Sequence, residues 1–264
     1  MSSSPSAITP ASITAHFSMW TLTLIAIAGI SVPTFATLKV LQWELNANAL
    51  SVYSSQGNGS IGHLVLTYSP ANLQALPNHV PFIIPLNPGQ NPTVPAGATA
   101  EQIRVITRAH TNDMQDWNTY HSNDNALKQQ LRAACPHLFL KTLMHTDLGF
   151  ALVSTLTMLS HLWDTYGSIT HADIMANNTT LTTNDWGPPM PMEGLFTKIT
   201  RCVNYAAAGG APIIAVMVVQ AAYNNIEVTG LFTDDCKVWR NKPVAEKTYT
   251  LLKEFFTNAD QDRT

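Results

Sequence analysis

The sequence predicts a mainly α-helical protein, a multi-helix bundle over about residues 98–260 that follows a low-charge, proline-rich N-terminal region with a short helix and a β-hairpin. Three observations point to it. Charged residues make up 12% of the 264, about half the usual share in a soluble domain. The deficit is local: residues 1–97 hold only Lys39 and Glu44, together with ten of the 16 prolines. From Glu101 onward apolar residues recur at three- and four-residue spacing, the period of a helix with one buried face. The composition changes near Pro95–Gly97, which separates residues 34–97 from an all-helical region spanning 98–260.

Residues 1–33 read as a tail and a short apolar segment. Positions 1–15 are rich in Ser, Thr, Pro and Ala and are expected to be disordered. The run Trp20 to Ile30 resembles a signal-peptide core, but no Lys or Arg precedes it. Pro33 also ends it short of the roughly 20 residues a membrane span needs. The expected location is therefore intracellular, in the cytoplasm, with a membrane partner unlikely. Secretion or tethering through residues 20–30 is the alternative.

Residues 34–50 carry Phe35, Leu38, Leu41 and Leu45 at helical spacing, with Thr34 as the cap. Leu50 to Tyr53 and His63 to Tyr68 then alternate around Gly57-Asn58-Gly59, which predicts the hairpin, because Asn-Gly tolerates the positive φ of tight turns. The segment Gly57 to Gly62 formally matches the dinucleotide fingerprint GxGxxG. It lacks the helix that would hold a pyrophosphate, so it reads as a turn. Residues 69–97 are proline-punctuated and read as an extended strap.

Thr99 and Gln102 form a capping-box pattern that starts a long helix. Ile103, Ile106, His110, Trp117, Tyr120, Leu127 and Leu131 share its predicted face, and Pro136 closes it. Shorter helical segments follow at about 137–145, 153–166, 171–183, 192–207, 212–226 and 243–259. Gly167, Gly209-Gly210, Gly230, Pro188-Pro189 and Pro243 punctuate them. Asp234-Asp235 read as a cap ahead of a helix.

Chemical motifs are missing. The chain has no GxSxG elbow, no HExxH, no GxxxxGK[ST] loop and no Asp-Thr/Ser-Gly signature. Cys135, Cys202 and Cys236 lie too far apart for a zinc knuckle, and the nine histidines lack the spacing that aims two rings at one metal. Neither a catalytic residue, a metal, a cofactor nor a small-molecule substrate is expected. Net charge is -3. Lys237, Arg240, Lys242 and Lys247 alternate with acids, which is a weak footprint for nucleic acid. The aromatic stripes Trp163/Tyr166 and Tyr249/Leu252/Phe256 read as packing anchors.

Five stretches resemble the Gag polyprotein of copia-type retrotransposons, particularly the group found in algae and related eukaryotic microbes. They are LQWELNANAL (41–50), HLWDTYGSIT (161–170), MEGLFTKI (192–199), YAAAGGAP (205–212) and TGLFTDDCKVWRNKPVAEKTYTLLKEFF (229–256). The Gly-rich segment 57–66 is similar to a turn in the same proteins. The resemblance implies a capsid-like, non-enzymatic protein that self-associates into the shell of virus-like particles around the element's RNA. It marks Trp163, Tyr166, Gly167, Phe196, Gly230, Phe232, Cys236, Trp239 and Tyr249 as family-motif and packing positions. Tyr249 and Leu252 stand where the family usually has Trp and Phe. Residues 1–264 contain no CCHC zinc knuckle, so RNA contact is expected to be weak or indirect. The alternatives are an RNA-binding module, or a truncated or domesticated relic without assembly activity. Phe255 and Phe256 project about 100° apart on a helix, which makes them candidate interface residues.

Overall fold

The computed structural model describes residues 9–17, 22, 32–77, 81–187 and 190–263. Among them are ten α-helices and several 3-10 turns. They contain no β-strand, only an isolated bridge between His145 and Gly149. The chain divides into two compact units, Met1–Ser168 and Ile169–Thr264. That division falls inside the span that composition treats as one helical region. The apolar run Trp20 to Ile30, apart from the buried Leu22, lies outside the described residues, and so does Pro188-Pro189.

The first unit is built on α1 (Pro10–Thr14), α2 (Phe35–Ser51), α3 (Pro70–Gln74), α4 (Ala100–Ala134) and α5 (Thr155–Tyr166). Residues 10–14, expected to be disordered, form a helix because Thr9 and Ser12 close a capping box. The helix packs on α4 and sends Ile13 into the core. Thr34 and Thr37 cap α2 in the same way. Leu38, Leu41 and Leu45 of α2 are buried with Leu127 and Leu131 of α4 and Met158, Leu159 and Leu162 of α5. The capping box predicted for Thr99 and Gln102 starts α4. Its first half buries little, with Ile103 and Val105 exposed, so the predicted continuous apolar face becomes core only from about Trp117 onward.

The predicted β-hairpin is absent. Leu50 and Ser51 belong to α2, while Gln56–Gly59 and Leu64–Leu66 are 3-10 turns. The turn chemistry was legible even so, since Gly57, Asn58 and Gly59 all have positive φ (59°, 56° and 73°). They reverse the chain onto the end of α2, not into a paired strand. At Gly62 (φ 48°) a Cβ would stand 2.7 Å from the carbonyl oxygens of Ala49 and Leu50. That close approach lets the His63 N–H donate to the Ala49 carbonyl at 2.9 Å, covering a helix terminus that would otherwise lack partners. Leu64 and Leu66 are both buried, and such an apolar-x-apolar stretch mimics strand alternation.

The second unit comprises α6 (His171–Thr182), α7 (Met192–Ala208), α8 (Ala215–Val228), α9 (Thr233–Arg240) and α10 (Tyr249–Gln261). Phe196, Ile199, Ala222, Ile226, Phe232, Cys236, Trp239, Leu252 and Phe256 form its core. The predicted segment 243–259 resolves into a 3-10 turn at Val244–Glu246 and then α10, which Thr248 caps. Asp234 and Asp235 lie inside the first turn of α9, where carboxylates favour the positive end of the helix dipole.

Gly62→Ala is expected to destabilise the chain by about 2 kcal/mol or more, since it adds left-handed strain to a backbone clash. Gly89→Ala, in open space though also at positive φ, is expected to cost less. Urea unfolding of the two variants checks the difference.

Candidate functional site

The first unit has a shallow cleft of about 340 Å³. Ser12 of α1 and His16 after it, Ser51 at the end of α2 and the following residues 52–55, His63, Pro85, and Gln115, Asp116 and Thr119 of α4 line it. His63 is buried, and its Nδ1 lies 3.3 Å from the Val52 carbonyl oxygen. A carbonyl only accepts, so Nδ1 carries the proton and Nε2 is the unprotonated nitrogen. The His63 ring sits against Phe82 at 6.0 Å and Tyr120 at 6.2 Å, which ties the strap to α4. Burial lowers the His63 pKa, partly offset by the Val52 hydrogen bond and by Asp116. Ser55 Oγ donates to Asp116 Oδ2 at 2.7 Å.

Nucleophilic catalysis needs a hydroxyl bonded to a base that is oriented by a third group. Here the serine is bonded to the acid. Among the described residues no hydrogen bond joins His63 to Ser54, Ser55 or Asp116. The polar groups of the cleft are spent on holding loop to helix, as in the Ser55–Asp116 and His63–Val52 hydrogen bonds. No three His, Cys, Asp or Glu side chains among the described residues converge into a group able to hold a metal.

The positions marked by the sequence motifs fall in two groups. In the first unit Trp163 Nε1 donates to Gln42 Oε1 at 2.9 Å, and its ring meets Phe35 edge-on at 5.4 Å. Tyr166 packs edge-on against Phe139 at 5.3 Å. Gly167 ends α5 where a Cβ would come within 2.4 Å of the Trp163 ring, so glycine there follows from the placement of Trp163.

In the second unit Phe196 is fully buried, and Tyr249 reaches over it to donate to the Phe196 carbonyl at 3.1 Å. Phe232 stacks on Trp186 at 6.2 Å and meets Phe256 edge-on at 5.9 Å. Cys236 and Trp239 are buried, and burial pushes the Cys236 thiol pKa up, away from reactivity. Gly230 has φ 68° in the turn between α8 and α9. Of the two candidate interface residues, Phe256 is wholly enclosed. Phe255 is half-buried against Trp239, with the Lys242 ammonium 5.1 Å above its ring. An outward role therefore falls to Phe255 alone.

The sequence did not single out the apolar side chains that the fold leaves at the surface. Trp43 is 62% exposed and Tyr53 77% in the first unit, and Ile214 is 65% and Val216 75% in the second. The signal was available: Val40 and Trp43 lie off the Phe35, Leu38, Leu41, Leu45 face, so α2 is apolar on two sides. The basic residues near the C-terminus are engaged locally. Lys237 pairs with Asp234 at 2.8 Å, Arg240 with Glu227 at 2.6 Å and Lys242 with Glu246 at 3.9 Å. Lys247 donates to the Arg240 carbonyl. Among the described residues no helix is long and apolar enough to cross a membrane. Comparison with family models, curated proteins and solved structures finds no match to the chain.

The folded chain holds His63 neutral below the ordinary value of 6.5, while the unfolded chain takes up a proton there. The resulting stability is present above 6.5 and is lost as the pH falls from there to the lowered folded value. The urea midpoint is expected to fall between about pH 7 and pH 5, with a shallower slope in His63→Gln. Equal slopes in the two proteins would show that His63 does not contribute.

Proposed function

We propose that the chain is a structural protein of the Gag capsid type, working by self-association and not by catalysis. One observation carries the reading: both helical units leave large apolar side chains exposed, Trp43 and Tyr53 in one, Ile214, Val216 and Met217 in the other. Isolated exposed hydrophobics are ordinary, but clusters mark surfaces that meet another molecule. In the second unit residues 202–226 include no charged residue, and Ala207, Ala208, Ala211, Pro212, Ala215 and Met217 are all exposed around Ile214 and Val216. Two units that each have their own core also suit an assembly built from many modest, repeated contacts. The sequence resemblance over residues 41–256 supports the same reading and supplies its setting, the shell of a retrotransposon particle in the cytoplasm. An RNA-binding role draws no support from the basic residues, because Lys237, Arg240 and Lys242 are paired with acids.

Sedimentation of the full chain over a wide concentration range is expected to show reversible, concentration-dependent oligomers. Low charge favours association over repulsion, so the effect should persist at high salt. A strictly monomeric chain at high micromolar concentration would overturn the proposal.

A further inference from the structure

The outward side of α2 is an apolar stripe. Ala36, Val40, Trp43 and Leu50 are exposed and Ala47 is half-buried, at spacings of four, three, four and three residues. That is the seam of a helix made to pack on another helix. The opposite side, with Leu38, Leu41, Leu45 and Ala49, is filled by the core of the first unit. Lys39 is the only charged residue on the outward side of α2, since Glu44 is buried.

We infer that this stripe pairs two copies of the chain about a two-fold axis, with their α2 helices antiparallel and Leu45 at the middle of the register. The stripe is self-complementary in that arrangement and in no parallel one. Val40 and Leu50 are equally far from Leu45, so each meets the other across the axis. Trp43 and Ala47 are likewise equidistant, so the largest side chain of the stripe meets one of the smallest, a knob against a hole. The same register sets Lys39 opposite Ser51. The last turn of α2 carries no basic residue, so the partner's ammonium meets no like charge there. Parallel pairing would instead set Lys39 against Lys39 and Trp43 against Trp43. Charge and shape thus both favour the antiparallel over the parallel sense for two copies.

The contact is modest in size. A helix of 17 residues is about 25 Å long, and one helix seam buries less than the roughly 1,200 Å² of a stable interface. Its affinity is therefore expected to be micromolar or weaker, the strength of a contact that works by repetition. The inference deepens the self-association reading and rests on it.

The test mixes copies carrying Val40→Cys with differently tagged copies carrying Leu50→Cys, in the full chain. Cys135, Cys202 and Cys236 are all buried, so the introduced thiols are the accessible ones. Mild oxidation is expected to give the mixed disulfide in excess over either like-with-like product, and an excess of like-with-like products would overturn the antiparallel register. In parallel, Trp43→Glu is expected to weaken association about 30-fold, a typical loss for a central aromatic anchor, with helicity unchanged by circular dichroism. Association undiminished in Trp43→Glu would overturn the α2 contact and leave self-association through other surfaces standing. A wild-type chain that stays monomeric would overturn both.

Discussion

The helix α2 carries apolar residues on two sides, and its own unit covers one of them. The inner half organises the first unit. Leu38, Leu41 and Leu45 close the core against α4 and α5, burying side chains that are each worth about 1.5–3 kcal/mol. Gln42, at the edge of that half, accepts from Trp163 and donates to the Thr67 carbonyl. It therefore fixes both α5 and the returning loop against the same helix. The positive-φ run Gly57-Asn58-Gly59 and the close approach at Gly62 exist because the loop must turn back onto the end of α2. The outer half carries the exposed Val40, Trp43 and Leu50.

With few charges available, the chain orients its helices largely by hydrogen bonds between side chains and backbone. Asp124 of α4 accepts from the Thr155 N–H, and its own carbonyl accepts from the Thr155 hydroxyl, which pins the start of α5 to α4. Lys128 stands 3.5 Å from the same carboxylate. In the second unit Asn177 donates to the Cys202 carbonyl, joining α6 to α7, and Asn225 donates to the Leu181 carbonyl, joining α6 to α8. Each such bond adds only about 1 kcal/mol net, but leaving a buried partner unpaired costs more, so the bonds select one packing. Among the described residues Asn123 is fully buried with neither amide atom bonded.

Among the described residues, no hydrogen bond joins His63 to a hydroxyl in the cleft, and Lys237, Arg240 and Lys242 pair with nearby acids. Both units leave large apolar side chains exposed, and the proposed self-association rests on them. Such side chains cost little in a monomer of low concentration and become favourable contacts when copies are held together.

Several elements were legible because their causes are local. Thr34 and Thr99 start helices through capping, Gly167 and Gly230 stop or turn them, and the Trp163/Tyr166 and Tyr249/Leu252/Phe256 spacings put aromatic rings on one face. Asn58 and its flanking glycines announced positive φ for the same reason. What followed that turn was not local. Alternating apolar residues at 63–68 satisfy a strand or a tightly wound coil equally well, and only the proximity of the α2 terminus chose the coil. The grouping of α4 with the N-terminal elements, the enclosure of Phe256 with Phe255 at the rim, and the exposure of Trp43 were also decided by tertiary packing. A helical period says which residues share a face. Which face is covered depends on what else in the chain is near enough to cover it.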